Sequence, residues 1–296
     1  MCYLQISFGN YWGVFSDLMV KKADGTLQLF DREKVVRTCL RLGVDRQVAY
    51  EIADMVERRL YDGIPASKIL QMIFRYIRRH KPSVGNLFDL RKGLSLMSSK
   101  PEFEVFVRAI LGHNGFEVSP NQLLIGKCVE HEVDGIARKD GFTYFVEVKH
   151  HLRYHAPTGL DESRIARAVL EDVEEGFVLG RSDLRIDGAM IVTNTRYSDQ
   201  AKRYGRCRGI VQIGWSSPKD HGLQSMIMGK RLLPLSCLKG LSIDARLKLA
   251  IAGIVLFEQV TDEQTDELAR KTGLTKEFIN RIKQKIGPET QSFGSI

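Results

Sequence analysis

The sequence predicts an α/β fold for the middle of the chain, with a small, mostly helical domain before it and a helical tail after it. Three observations support this. Two alternating segments flank a tight turn, which is typical of a β-hairpin. The apolar run from Ala189 to Thr193 predicts a strand buried on both faces. Strands that alternate with helices are typical of α/β layers. The predicted boundaries are 1–18 for a leader, 19–97 for the first domain, 98–235 for the core and 236–296 for the tail.

The leader is expected to be either an unstructured extension or an error in the assigned start, since Met19 directly precedes the first domain. That domain begins with a hairpin whose strands, near Val20 and at 26–30, flank the turn signature Asp24-Gly25. Asp31 is a suitable N-cap for a helix that runs to Leu42. Further helices are expected at 46–61, 66–80 and 84–97.

The core begins with an amphipathic helix. Its apolar residues recur at helical spacing and are Phe103, Phe106, Val107, Ile110 and Leu111. Glu104 borders this stripe and could reach a site beside the helix. Glu102 is the competing candidate, and a solvent-facing role for either glutamate is the simpler alternative.

A hairpin follows, in which segments 129–138 and 142–150 are joined by a turn that contains Asp140-Gly141. This turn brings Asp134 near Glu147 across the ladder. Because strand side chains alternate between faces, Lys149 shares a face with Glu147. Two carboxylates that face one spot suit Mg²⁺, which can polarise a phosphoryl oxygen and lower the pKa of a bound water. The nearby ammonium can orient that water or offset developing charge. The pattern predicts a metal-dependent phosphodiesterase site, and the alternative is a cross-strand ion pair or a solvated face.

The loop after this strand is rich in histidine and carries His150, His151, Arg153 and His155. These side chains could contact phosphate or assist proton transfer. They could also bind a transition metal, or be structural. We expect His150, Arg153 and His155 to take part in DNA binding.

The rest of the core continues the alternation of helices and strands. A helix is expected at about 161–178, and a strand follows at 189–193. Ser198-Asp199 can cap the next helix, and 209–214 forms another strand.

The tail contains a short turn between two helices, Thr272 to Thr275, which resembles a helix-hairpin-helix unit. In such a unit, turn N–H groups and a helix N-terminus hold a DNA phosphate without reading bases, here through Gly273, Thr275 and Lys276. A helix-turn-helix would have a similar pattern, and a helical cap or a dimerisation module is an equal alternative.

The core resembles the Mrr-type branch of the PD-(D/E)xK nuclease superfamily over about 101–215. The resemblance is carried by the stretch 101–118, Asp134, Glu147-Val148-Lys149, and the segment 188–202. It implies a restriction-endonuclease-like mixed sheet flanked by helices, Mg²⁺-dependent cleavage of double-stranded DNA and a cytoplasmic location. By the motif, Asp134 and Glu147 would hold the metal, Lys149 would act on the water, and Glu104 would be the helix acid.

The first domain resembles the ATP-cone, a nucleotide-binding regulatory domain. The matching residues are Val20, Lys22, Asp24-Gly25, Phe30 and Glu33-Lys34-Val35. The resemblance implies that Val20, Lys22 and Lys34 bind ATP or another purine nucleotide. Two cations from the hairpin and the adjoining helix can meet one polyphosphate. The alternative is a basic helical module that touches nucleic acid or only solvent.

The composition favours a polyanionic partner, since the formal net charge is +8 and the pI is about 9.2. Segment 19–97 has 16 basic and 9 acidic residues, a difference of +7. The five cysteines form no Cys-x-x-Cys pair, which favours a reducing compartment. No apolar run reaches membrane length, and the first residues lack the features of a signal peptide.

The sequence therefore predicts a Mg²⁺-dependent DNA endonuclease of restriction type that a bound nucleotide regulates. A DNA repair or junction-resolving nuclease on the same core is one alternative. A non-catalytic, nucleotide-responsive DNA-binding regulator is another. Double-strand cleavage would favour a homodimer, although no segment identifies an interface.

Overall fold

The computed structural model describes residues 18–22, 25–41, 44–80 and 87–290. The predicted leader lies outside these ranges apart from Leu18, and so does Asp24 of the predicted hairpin turn. The chain divides into two compact units, one up to Gly85 and the other from Asn86 to Ser295.

The first unit contains a three-stranded sheet of order β2-β1-β3. Its elements are β1 (Met19–Lys21), β2 (Leu27–Leu29), α1 (Arg32–Arg41), α2 (Arg46–Glu57), β3 (Ile64–Pro65) and α3 (Ala66–His80). The predicted hairpin is present, because β1 pairs antiparallel with β2. The parallel strand β3 was not predicted, since two residues are too short to form an alternating pattern. Helix α2 ends before the predicted position 61, and a turn with Gly63 at φ +73° leads into β3.

The second unit is built on a five-stranded mixed sheet of order β4-β5-β6-β7-β8, so the predicted α/β fold with a mixed sheet is confirmed. The strands are β4 (Glu117–Ile125), β5 (Glu130–Lys139), β6 (Phe142–Lys149), β7 (Gly188–Thr193) and β8 (Val211–Ile213). Strands β4, β5 and β6 are antiparallel, whereas β6, β7 and β8 are parallel. Strand β4 was not predicted, because Pro120 within it argues against a central strand, although an edge strand tolerates proline.

The predicted hairpin between β5 and β6 has a two-residue turn. Asp140 and Gly141 have φ angles of 53° and 81°, and this left-handed pair fits the right-handed twist of the flanking strands. The backbone pairing runs from Lys139 opposite Phe142 to Gly135 opposite Val146. Asp134 is therefore the first residue beyond the described ladder on the β5 side.

Helices and short turns complete this unit. They are α4 (Leu90–Ser95), a π-helical turn (Ser99–Phe103), α5 (Glu104–His113), α6 (Leu160–Val178), α7 (Asp199–Arg208), α8 (Leu223–Lys230), a 3-10 turn (Leu235–Cys237), α9 (Ile243–Ile251), α10 (Phe257–Asp262), α11 (Thr265–Thr272) and α12 (Lys276–Thr290). Of the helix expected at 84–97, the described residues from 87 onwards contain α4, where the Asp89 side chain accepts a hydrogen bond from Lys92 N. Helix α8 was not predicted. None of the helices in the described ranges could cross a membrane, since none combines the length and apolar character that a span needs.

Apolar side chains cover both faces of the five-stranded sheet. Phe106 and Ile110 of α5 pack with Val146 and Met190 on one face. On the other face, residues of α6 such as Leu170 belong to a cluster with sheet residues. Because β6 and β7 are parallel and Lys149 pairs with Thr193, their carboxyl ends meet at one edge of the sheet. Glu147 and Lys149 lie at this edge, at the end of β6.

Candidate functional site

Asp134 lies at the end of the β5–β6 ladder, where its side chain accepts a hydrogen bond from a backbone N–H group of β6. Its Oδ2 accepts from Val148 N at 2.7 Å, and Arg108 Nη1 donates to its carbonyl oxygen at 3.3 Å. Only 8% of the residue is exposed. These contacts fix the carboxylate and leave Oδ1 directed to a different partner.

That partner is Lys100, which also contacts Glu104. Lys100 Nζ lies 3.4 Å from Asp134 Oδ1 and 3.1 Å from Glu104 Oε1. Burial raises the pKa of Glu104; the Lys100 ammonium opposes this rise and the Asp134 carboxylate adds to it. Two buried carboxylates, one from the first turn of α5 and one from β5, thus share a single cation.

A second ion-pair group lies at the end of β6. Lys149 Nζ is 2.9 Å from Glu147 Oε1 and 3.1 Å from Glu162 Oε2 in the first turn of α6. Burial raises the pKa of Glu147, although Lys149 opposes the rise. Burial lowers the pKa of Lys149, but the two glutamates outweigh it, so that this pKa is raised overall. The lysine is therefore held as a cation between two carboxylates.

Glu102, the competing candidate for the helix acid, faces a different part of the unit. Its Oε2 accepts from Ser98 N at 2.9 Å, and its Oε1 lies 3.3 Å from Arg246 Nε. The structure therefore brings Glu104 to Asp134 and keeps Glu102 in a buried ion pair with α9.

The loop after β6 is anchored through its first two histidines. His150 Nε2 lies 2.9 Å from Leu94 O, and its ring centroid is 4.9 Å from that of Phe103. Burial lowers the pKa of His150 and of His151, which favours neutral rings. His151 Nε2 lies 3.1 Å from Thr158 Oγ1. These two rings are directed to different partners and hold the loop in place.

Arg153 and His155 are exposed on the same loop. The His155 ring packs against Tyr154, with 4.3 Å between centroids. Across the described ranges, the structure contains no group of three or more His, Cys, Asp or Glu side chains arranged to hold a metal ion.

The carboxylate donors nevertheless suit a hard divalent cation. Mg²⁺ keeps several waters and is commonly bound through one or two carboxylates plus substrate phosphates, rather than by an all-protein cage. Glu104 and Asp134 already share one cationic group, the Lys100 ammonium. The Lys100 side chain is 64% exposed, so water can also solvate its ammonium group.

The first unit contains a cavity of about 280 Å³ between the hairpin and the helices. All three residues predicted to bind nucleotide line it, namely Val20, Lys22 and Lys34. Its remaining lining is mostly apolar and includes Phe30, Val35, Ile69, Leu70 and Ile73. Lys22 and Lys34 form no ion pair within the ranges that the structure describes.

The predicted turn in the tail is present between α11 and α12. Gly273 ends α11 in a left-handed conformation with φ 68°. Thr275 Oγ1 accepts from Phe278 N at 3.2 Å, which caps the start of α12. Lys276 Nζ lies 2.9 Å from Asp266 Oδ2. The DNA-binding role of these three residues stays a prediction.

Two residues of the site, Lys100 and Glu162, were not predicted from the sequence. Lys100 stands alone before a proline, and no local pattern marks it as a partner of Asp134. Glu162 lies in the first turn of a predicted helix, where an acidic residue is expected for its effect on the helix dipole. Its contact with Lys149 depends on how α6 packs on the sheet.

Residues 96–213 match the family Mrr_cat, described as a restriction endonuclease. The matched range contains Asp134, Glu147, Lys149 and Glu104. An uncharacterized protein of Archaeoglobus fulgidus is 35% identical over 185 residues, which cover 60% of this chain and 98% of that protein. A second uncharacterized protein of that organism is 46% identical over 41 residues, covering 14% of this chain and 87% of that protein.

A solved structure is also similar to this chain. The crystal structure of a protein of unknown function, AF1548, has a TM-score of 0.55 and 31% sequence identity. The match covers 62% of this chain and 94% of that chain.

Proposed function

We propose that this chain is a Mg²⁺-dependent DNA endonuclease of restriction type. It belongs to the family of the Archaeoglobus fulgidus relative, and its residues 96–213 match the Mrr_cat restriction endonuclease family. The observation that carries the proposal is one arrangement of side chains. Glu104 and Asp134 share a cation beside the Glu147–Lys149 pair at the end of β6.

In this proposal, Asp134 and Glu147 hold Mg²⁺, and Glu104 is the acid from the helix. When bound, the ion supplies Lewis-acid chemistry that stabilises charge on the phosphoryl oxygens. Asp134 is suited to this role because Val148 N fixes one of its oxygens and leaves the other directed at the shared cation. Electrostatic repulsion among buried carboxylates favours a cation at this position.

Lys149 orients the attacking water and offsets the negative charge that develops during hydrolysis. Its raised pKa means that it donates hydrogen bonds as an ammonium, rather than accepting a proton as a base. Glu147 and Glu162 hold it on both sides and so limit the positions of its Nζ.

The substrate in this proposal is double-stranded DNA, which the net charge of +8 would attract. A single site of this kind cuts one strand at a time. Cleavage of both strands in one binding event therefore favours two copies of the chain, and we propose a homodimer for that reaction.

The test is cleavage of a supercoiled plasmid in Mg²⁺ by the full chain and by Asp134→Ala. We expect Mg²⁺-dependent nicking by the wild type and its loss in the variant. Glu132→Ala is a matched control, because Glu132 is exposed and precedes Asp134 by two residues on the same strand. It should cut like the wild type.

Either of two results would count against the proposal: equal cleavage by all three proteins, or no cleavage by the wild type. DNA binding without cleavage would favour the non-catalytic regulator. Plain, methylated and branched substrates would separate a restriction enzyme from a repair or junction-resolving nuclease.

A second function is supported by the cavity in the first unit. We propose that it binds ATP or another purine nucleotide and that the nucleotide regulates cleavage. The mostly apolar lining suits a base and a sugar, whereas Lys22 and Lys34 suit phosphate oxygens. Adding ATP to the plasmid assay tests the regulation, and an unchanged cleavage rate at every ATP concentration would contradict it.

A further inference from the structure

Three loops and a helix meet at the sheet edge where β6, β7 and β8 end. Thr158 N donates to Arg196 O at 2.8 Å, and Trp215 N donates to Thr195 O at 2.7 Å. These bonds join the loops that follow the three parallel strands. In open α/β sheets, ligands bind beyond the carboxyl ends of the strands, so this edge is a natural place for a ligand.

Arg91 of α4 lies against two aromatic rings from these loops. Its guanidinium carbon is 5.0 Å from the Tyr154 ring centroid and 5.5 Å from that of Trp215. Its Nη2 donates to Tyr154 O at 2.7 Å, whereas its Nε is buried and makes no hydrogen bond. Stacking on aromatic rings fixes the plane of the guanidinium and therefore the directions of its N–H groups.

Few negatively charged groups lie near the Arg91 guanidinium to balance its charge. Within the described part of the chain, no carboxylate forms an ion pair with it. Burial lowers its pKa, and the next largest cause is a second cation, Arg196. Asp89 acts in the opposite direction but more weakly. A half-buried arginine that forms no ion pair with a carboxylate suits an anionic ligand.

This cluster adjoins the proposed active site. Arg91 and Leu94 lie one turn apart in α4, and Leu94 O contacts His150, the residue that follows Lys149. The same short helix therefore positions Arg91 and supports the end of the strand that carries Glu147 and Lys149.

We propose that Arg91 and Arg196 form a binding site for a backbone phosphate of duplex DNA, held in orientation by Tyr154 and Trp215. The site rests on the proposed nuclease function and deepens it, because it assigns a contact that seats the substrate beside the carboxylates. Arg is suited to this role, since its planar group can donate two hydrogen bonds to one phosphate.

The test measures DNA binding in the absence of divalent cations, so that cleavage does not interfere. The probe is a short fluorescein-labelled duplex with 5′-hydroxyl ends, in which phosphodiesters are the only phosphates. Binding of the full chain is followed by anisotropy over a range of salt concentrations.

The variants are Arg91→Met, which keeps an unbranched side chain against the rings, and Arg196→Gln, which changes an exposed residue. Arg185→Gln is the control. Its side chain is 74% exposed, pairs with Asp187 and precedes the amino end of β7, which is the opposite edge of the sheet.

We expect each of the two variants to bind about tenfold more weakly and to lower the slope of log K against log salt by about 0.9, as the loss of one phosphate contact does. The control should match the wild type. In a Trp12→Phe background, Trp215 is the remaining tryptophan of the chain, and its emission should change when DNA is added. This change should be lost in Arg91→Met.

Wild-type affinity and salt slope in a folded Arg91→Met protein would overturn the site and leave Arg91 with a purely structural role. If Arg91→Met does not fold, Arg196→Gln decides in the same way. Failure of the wild type to bind or cut DNA would instead overturn the proposed function, and this inference with it.

Discussion

Glu162 Oε2 lies 3.1 Å from Lys149 Nζ, so a carboxylate from α6 holds the lysine at the end of β6. Glu147 holds the same ammonium from the other side at 2.9 Å. In the proposed mechanism, Lys149 must keep its Nζ near the attacking water. Glu162 is therefore a positioning residue, which acts through Lys149.

We predict that Glu162→Gln slows Mg²⁺-dependent plasmid cleavage by about tenfold to a hundredfold, the range seen when the support of a metal-site residue is removed. The amide cannot pair with the ammonium as a carboxylate does. DNA affinity should stay unchanged, because Glu162 contacts no proposed phosphate site. Single-turnover rates and anisotropy measure the two quantities.

Asp161→Asn is the matched control for this prediction. Asp161 is the neighbouring acid in the first turn of α6, its side chain is 85% exposed, and it pairs with Arg164. If both variants cut at the wild-type rate, Glu162 has no positioning role. If both slow equally, the effect comes from the charge of the helix terminus.

Removing one partner of the buried ion pair between Glu102 and Arg246 should strongly lower stability. The two side chains are 3% and 6% exposed, and their closest atoms are 3.3 Å apart, although Arg246 Nε makes no hydrogen bond. We predict that Glu102→Ala lowers the free energy of unfolding by about 3–5 kcal/mol, because it leaves the Arg246 charge buried without its partner. Urea unfolding measures the change.

The double variant Glu102→Leu with Arg246→Met is the informative control. Since it removes both charges, it should recover most of the lost stability. A double variant as unstable as Glu102→Ala would show that packing of the original side chains, rather than the uncompensated charge, determines the cost.

The local patterns of the sequence predicted the elements of the core better than their contacts. The turn Asp140-Gly141 and the apolar run of β7 are local signals, and the structure contains the hairpin and the buried strand they predict. Strand β4 was missed because Pro120 obscures its pattern. The local pattern did not distinguish Glu102 from Glu104, because the choice depends on Arg246, which lies more than a hundred positions away in the sequence.

Nucleotide binding in the first unit should depend on the two lysines that line the cavity. We predict that Lys22→Ala and Lys34→Ala each weaken binding of ATP by about tenfold or more, as expected when a charged partner of a phosphate is lost. Isothermal titration calorimetry with ATP measures the affinity.

Lys21→Ala is the matched control, because Lys21 is adjacent on β1 but does not line the cavity. Its affinity for ATP should equal that of the wild type. An equal loss in all three variants would point to a general effect of positive charge, and the absence of ATP binding by the wild type would exclude the nucleotide site.

The Asp172 carboxylate should make the stability of the protein sensitive to acid. The Asp172 carboxylate lies 2.9 Å from His131 Nε2 and accepts hydrogen bonds from Cys128 N at 2.8 Å and Val129 N at 3.3 Å. The His131 contact, and then these backbone bonds, hold the pKa of Asp172 well below its usual range. The carboxylate thereby ties α6 to the turn between β4 and β5.

A carboxyl with a lowered pKa in the folded state contributes stability above its unfolded pKa, about 3.9, and that contribution is lost as the pH falls towards the folded value. We therefore predict that Asp172→Asn is less stable than the wild type at neutral pH and that the difference shrinks below about pH 4. Asp183→Asn, which changes an exposed acid after α6, should follow the wild type at every pH. Thermal unfolding across the pH range measures the three curves. A difference between Asp172→Asn and the wild type that stays constant into acid would mean that the shape of the side chain matters, whereas its charge does not.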